Sequence, residues 1–281
     1  MYFNSDYKSL NNKNMKISIF TTMTEPEKRM DPWKEALDCY KEFSDEVVVV
    51  GENWPKEFSF EYIGQTFQEG FDKSTGDWVV RMDVDTFFHE KDMNSLRAEL
   101  EKYQNFPGVV FPKYQFFKAE RFHVKAKMCV AFNKKKFPRI ELNGGGDLCD
   151  PMLNGKILDQ NNLPNINIPI WNYDSTFKNK EIISEDRARF ARAWNRCFGE
   201  WGDRGGDTSE LAYEAWIEMI KKRYKLHVVK MDIKKHPKYI KERLSNLSED
   251  LFGHSLFGHE TTITRNPIHY YKGYKDYFLS K

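Results

Sequence analysis

The chain has 281 residues, enough for one large domain or two small ones with a sizeable core. With 40% hydrophobic and 31% charged residues it reads as a folded globular chain, which excludes wholesale disorder. Its 44 Lys and Arg against 42 Asp and Glu leave a net charge of +2, so there is no global field to hold a polyanion, which argues against nucleic acid as a partner.

Residues 1–14, MYFNSDYKSLNNKN, form a polar leader without the apolar run of a signal peptide. No stretch approaches the roughly 18 apolar residues of a membrane span, so no stable membrane insertion is expected. The four cysteines, Cys39, Cys129, Cys149 and Cys197, lie far apart and form no C-x-x-C pair. That argues against a zinc site and for a reducing compartment, the cytoplasm.

MKISIFTT (15–22) reads as a first strand. In DPWKEALDCYKEF, Asp31 is placed to cap a helix and Pro32 to open it, with Trp33, Ala36, Leu37 and Tyr40 as its buried stripe. DEVVVV (45–50) suits a strand covered on both faces. YIGQTFQEGFDKSTG predicts a helix stopping at Gly76, and 78–82 a third strand. Strand and helix alternate, which predicts an α/β chain with a mostly parallel sheet and helices on both faces. Ligands of such sheets bind beyond the carboxyl ends of the strands.

The third strand ends in Asp83-Val84-Asp85. Side chains at i and i+2 share one face of an extended segment, and two carboxylates so placed repel unless a cation lies between them. A hard divalent cation takes such oxygens and keeps positions open for phosphate. The bland alternative is a capped turn with two exposed acids. The strand-end setting favours the metal.

Downstream, Asp92 is placed to cap a helix marked by Met93, Leu96, Leu100 and Tyr103. GVVFPKYQFF and KMCVAF read as strands, and LNGGGDLCDP (142–151) as an irregular glycine-rich loop. A helix over about 185–198 carries Arg189, Arg192 and Arg196 on one face, which could grip a diphosphate or be solvated. Another spans about 208–224, with Asp207 and Glu210 as a capping box. Trp171, Tyr173 and Phe177 are candidates for stacking on a sugar and equally for the core. No linker divides the chain. The expected layout is the leader, a ligand-binding core at 15–150, and an elaboration packed on it at 151–281.

The run ISIFTTMTEPEKR, then VVVVG, then FQEGFDKSTGDWVVRMDVDTF, resembles the N-terminal half of family-2-like glycosyltransferases of the GT-A fold, over about residues 15–90. The resemblance implies a Rossmann-like nucleotide-sugar-binding core. It also implies a metal-dependent, inverting hexosyltransferase that moves a sugar from a UDP- or GDP-linked donor to a hydroxyl acceptor, a glycan among others. By position, Thr22 would touch the nucleotide and Glu52 the base, although Gly51 stands where an aspartate is usual. Gln68 replaces the family's helix asparagine. Asp83 would face the ribose or diphosphate and, with Asp85, hold Mn²⁺ or Mg²⁺. A C-terminal histidine, His236 first among the tail histidines His254, His259 and His269, would complete the metal. The acceptor base would be Asp147, with Asp150 second and Glu141 third; the family's usual E-D pair is absent.

Two other classes share parts of this pattern. A haloacid-dehalogenase-like phosphatase also uses D-x-D, but on its first strand and with Thr or Val where Phe87 stands. A nucleotidyltransferase would need a glycine-rich loop after the first strand, and TTMTEPEKR has none. A non-catalytic nucleotide-sugar or glycan-binding module would bind without turnover.

Overall fold

A computed structural model describes residues 15–142, 150–248 and 256–281. In chain order the elements are β1 (Ile17–Thr22), α1 (Trp33–Phe43), β2 (Glu46–Val50), α2 (Phe60–Lys73), β3 (Trp78–Arg81), β4 (Thr86–Phe87) and α3 (Met93–Lys102). They continue with the hairpin β5 (Gly108–Lys118) and β6 (Arg121–Asn133), then β7 (Ile140–Leu142), β8 (Pro151–Leu153), β9 (Lys156–Ile157) and β10 (Ile170–Asn172). The last are α4 (Lys180–Phe198), α5 (Ser209–Tyr224), β11 (Val229–Lys230), α6 (Lys241–Ser245) and α7 (Pro267–Leu279).

The main sheet runs β2-β1-β3-β6-β5-β10-β4, with β11 added to β6. β1 pairs parallel with both β2 and β3, and β10 pairs parallel with β5. β6 runs against β3 and β5, so β1, β2, β3, β5 and β10 all point the same way. The α/β expectation stands: apolar residues of α1, α3 and α6 pack on one face, those of α2, α4 and α5 on the other. Along β3, Trp78 and Val80 enter one cluster and Val79 the other, the pattern of a strand covered on both sides. β7, β8 and β9 form a separate small antiparallel sheet. Residue 150 does not divide the main sheet, because β10 and β11 lie within it.

Several local expectations give way to tertiary contacts. β2 is an edge strand and mostly half-buried, not covered on both faces. α1 has Pro32 at its cap and no side-chain cap bond; Asp31 is instead buried in ion pairs with Arg29 (3.1 Å) and Lys178 (3.0 Å). α2 ends at Lys73, capped at Ser74. Gly76 serves packing, since a Cβ there would lie 2.5 Å from the Ser18 nitrogen. Asp92 makes no cap bond to α3. Thr208, not Asp207, caps α5, its side chain accepting from Leu211 N. α4 begins five residues earlier than expected, capped by Asn179.

Candidate active site

The co-directional strands bring their C-terminal ends to one rim. Thr22 ends β1 and is in register with Val50, the last residue of β2; Gly51 and Glu52 come directly after it. Gly51 sits at φ +83°, a conformation that favours glycine, and a Cβ there would crowd Thr66 at 3.2 Å. Met82 N donates to Phe20 O at 3.0 Å, which carries Asp83 to the same rim beside Thr22. The topology therefore gathers Thr22, Glu52, Asp83 and Asp85.

The two aspartates lie in a turn, not an extended segment. Thr86 N and Oγ1 donate to Asp83 O at 2.8 and 2.7 Å, and Tyr40 OH donates to the same oxygen at 2.6 Å. Asp85 O accepts from Tyr173 N at 2.9 Å. These bonds hold the turn by its backbone and leave the carboxylates to other work. Among the described residues the Asp83 carboxylate makes no hydrogen bond, and Asp85 has only a long one from Asn172 Nδ2 at 3.4 Å.

A third acid, Asp174, enters from the segment just after β10, because Asn172 pairs with Thr86 on one side and Gln115 on the other. Burial first, then the charges of Asp174 and Asp83, push the Asp85 carboxyl up to about 7, against the pull of Lys178 and Lys113. Asp174 is the opposite case. Burial works against its charge, but Arg187 (3.3 Å), Lys178, Lys125 and Lys113 hold it well below the ordinary carboxylate range. Lys125, exposed on β6, adds positive charge beside Asp174.

Lys113 and Arg81 are the less expected members. Each is only 8% exposed, and both line a narrow cleft with Asp83 and Thr86. Among the described residues neither has a hydrogen bond or an ion pair; Arg81 lies over the Phe67 ring at 4.5 Å. Lys113 acts on Asp85 and Asp174 only at longer range, and with Arg81 it gives this cleft of about 10 Å³ a positive wall beside the carboxylates. Adjoining them, Asn172, Gln115 and His123 form one ladder row, and Asn172 Oδ1, Gln115 Oε1 and His123 Nδ1 are buried without a partner. A roomier depression, about 310 Å³, lies at the other end of the sheet around Ile17, Asp45 and Arg97. There Arg97 pairs with Asp45 at 3.0 Å, and no free charge faces it.

The remaining candidates are dispersed. Gln68 Oε1 accepts from Leu142 N at 2.8 Å and Nε2 donates to Asp72 at 2.9 Å, so Gln68 ties α2 to β7. Asp147 lies outside the described residues, as does His254. Asp150 is half-buried just before β8, and Glu141 is exposed on β7. His236 is buried: Nε2 faces Ala119 O at 2.9 Å and Nδ1 faces Tyr173 OH at 2.7 Å, which leaves no lone pair for a metal. Trp171, Tyr173 and Phe177 belong to the core. The arginine face of α4 neither grips a diphosphate nor is merely solvated. Arg189 donates to Lys56 O and Pro55 O, while Arg192 and Arg196 pair with Glu57 at 2.6 and 3.2 Å.

Asp174, Lys113 and Arg81 escape a reading by motif. Their signal was present: an acid two residues past the short apolar run IPIWN, and cations inside the runs WVVRM and VVFPKYQFF.

Among the described residues no group of three or more His, Cys, Asp or Glu side chains could hold a metal ion by itself. The donors nevertheless fit a hard divalent cation. Asp83 and Asp85 supply carboxylate oxygens nearly free of competing donors, and such ions take one or two carboxylates plus phosphate oxygens and water.

No family model matches the chain, and no curated protein does. Among solved structures it is similar to S. aureus TarS 1-349, at 10% identity over 95% of this chain and 92% of that one, with a TM-score of 0.35. The complex of TarS 1-349 with UDP aligns at 11% identity over the same shares, also with a TM-score of 0.35. A longer S. aureus TarS structure aligns over 82% of this chain and 52% of that one, with 11% identity and a TM-score of 0.30. Likeness this loose says nothing about chemistry, which is read instead from the strand-end carboxylates and the buried cations beside them.

Proposed function

We propose that the chain is a metal-dependent, inverting glycosyltransferase, moving a hexosyl group from a UDP- or GDP-linked donor to a hydroxyl on a glycan or similar acceptor. One observation carries the reading: a carboxylate pair nearly free of donors stands beside two nearly buried cations that make no hydrogen bond or close ion pair among the described residues, at the rim where a parallel sheet binds ligands.

In this reading Thr22 and Glu52 face the nucleoside, and Lys113 and Arg81 face the diphosphate. Asp83 and Asp85 would hold Mn²⁺ or Mg²⁺, which when bound offsets charge on the departing diphosphate. His236 is not part of the set. Asp147, or Asp150 after it, takes the proton from the acceptor hydroxyl as that oxygen attacks the anomeric carbon from the face opposite the diphosphate. The C–O bond to the diphosphate breaks with its electron pair, and configuration inverts. Gln68 steadies Leu142, at the start of the glycine-rich segment that carries Asp147. A cytoplasmic location goes with this reading. The phosphatase alternative is disfavoured by two β-α units preceding the aspartate pair.

The test is turnover of a panel of nucleotide sugars with and without Mn²⁺. Asp85→Asn is expected to abolish metal-dependent turnover; if it does not, the assignment is wrong. Asp147→Asn is expected to stop transfer while donor binding survives. Nucleotide-sugar binding with no turnover in the parent protein would identify a binding module instead.

A further inference from the structure

The C-terminal helix α7 is anchored on one side and bare on the other. Asn266 caps it in a reciprocal capping box with His269, and Pro267 opens it. Gly273 lets it approach closely, since a Cβ there would lie 2.5 Å from Val228 Cγ2 and 2.7 Å from Leu226 O. Tyr277 packs its ring 5.6 Å from Phe122 and 6.1 Å from Tyr114.

The opposite face carries Ile268, Tyr270, Tyr271, Tyr274, Phe278 and Leu279, all exposed; Tyr271 and Phe278 are 68% and 67% accessible. At about 100° per residue these six fall within roughly half the helix circumference. They dominate the large apolar side chains that the described residues leave exposed. Single exposed apolar residues are ordinary, but a contiguous stripe on one helix marks a contact surface. Lys272 and Lys275 lie on or beside the same arc, exposed and without an acidic partner among the described residues.

We propose that this face of α7 docks reversibly on an anionic lipid surface, lying in the interface plane without crossing it. Tyrosines and a phenylalanine suit the headgroup boundary, where an aromatic ring buries its body and keeps its polar tip wet. Lysines among them complement acidic headgroups. The same lysines argue against a second copy as the occupant. A two-fold interface through this face would set Lys272 and Lys275 near their own images, and lysine is depleted from interface cores. No described helix is long and apolar enough to cross a membrane, which agrees with docking in the interface plane.

The test is co-sedimentation of the full chain with vesicles of phosphatidylcholine alone and with added phosphatidylserine. Binding is expected only with phosphatidylserine, and it should weaken as salt rises. Tyr271→Ser with Phe278→Ser should lower the partition coefficient tenfold or more, and Lys272→Glu with Lys275→Glu should do the same independently. All four positions are exposed, and a circular dichroism melt checks that each variant folds. Absence of binding to phosphatidylserine vesicles, or equal binding by parent and aromatic variant, overturns the proposal. So does a concentration-dependent dimer, seen by light scattering, that the same substitutions abolish; that outcome assigns the face to a second copy.

Discussion

Replacing His236 with glutamine removes a titrating group from the core while keeping a donor and an acceptor in its place. Ala119 O can only accept, so His236 Nε2 carries the proton and Nδ1 accepts from Tyr173 OH. The imidazole is thus held neutral, and burial above all pulls its pKa from 6.5 to about 4. The unfolded chain then binds a proton that the folded chain refuses, so stability rises with pH between those values and is lost as pH falls from 6.5 toward 4. Linkage sets the size: about 2 kcal/mol lost by pH 5 and about 3 kcal/mol by pH 4. His123, drawn down to about 3, and His227 add acid sensitivity of their own, so the quantity to read is the difference between parent and variant. His236→Gln should cost about 1 kcal/mol at pH 7.5 through poorer hydrogen-bond geometry. The curves should then converge on acidification and cross, leaving the variant more stable by about 1 kcal/mol at pH 5. Urea unfolding followed by the fluorescence of the 7 tryptophans, from pH 7.5 to 4.5, measures this. Parallel curves would refute the buried neutral imidazole. Mn²⁺ affinity should be unchanged in the variant; a drop would return His236 to the metal.

Lys113→Met should weaken binding of a nucleoside diphosphate tenfold or more, by calorimetry, while the melting temperature holds, because this nearly buried lysine makes no hydrogen bond or close ion pair among the described residues and gives way to an apolar chain of similar length. A fall in melting temperature with unchanged nucleotide affinity would make Lys113 structural. Asp31→Ala strands Lys178 in the interior and should cost about 3–5 kcal/mol in chemical denaturation; a loss under about 1 kcal/mol would mean that Lys178 finds another partner or water. Gly70→Ala should cost about 1–3 kcal/mol, since the new Cβ would lie 2.3 Å from the Phe20 ring between α2 and β1. A neutral result there would show that α2 can shift off the sheet at little cost.

The alternation of β-branched runs and amphipathic helices over residues 15–103 was enough to predict the α/β core and to set the aspartate pair at a strand end. Those are local, periodic signals: period 2 or continuous burial for strands, 3.6 for helices. The caps of α1, α3 and α5 are set by contacts outside the local pattern. Asp31 is drawn into the buried pair with Lys178, far along the chain, and Thr208 simply stands in better position than Asp207.

What the sequence could not decide is who faces whom. Asp174 meets Asp85 only because β10 slots between β5 and β4. Lys113 and Arg81 lie inside runs that read as plain strand, and their meeting with Asp83 at one cleft is a property of the assembled sheet. His236 looked like a metal ligand until folding set it between Ala119 and Tyr173. The type of each element is written in short-range pattern. The site depends on contacts between residues far apart in the chain, which no local periodicity records.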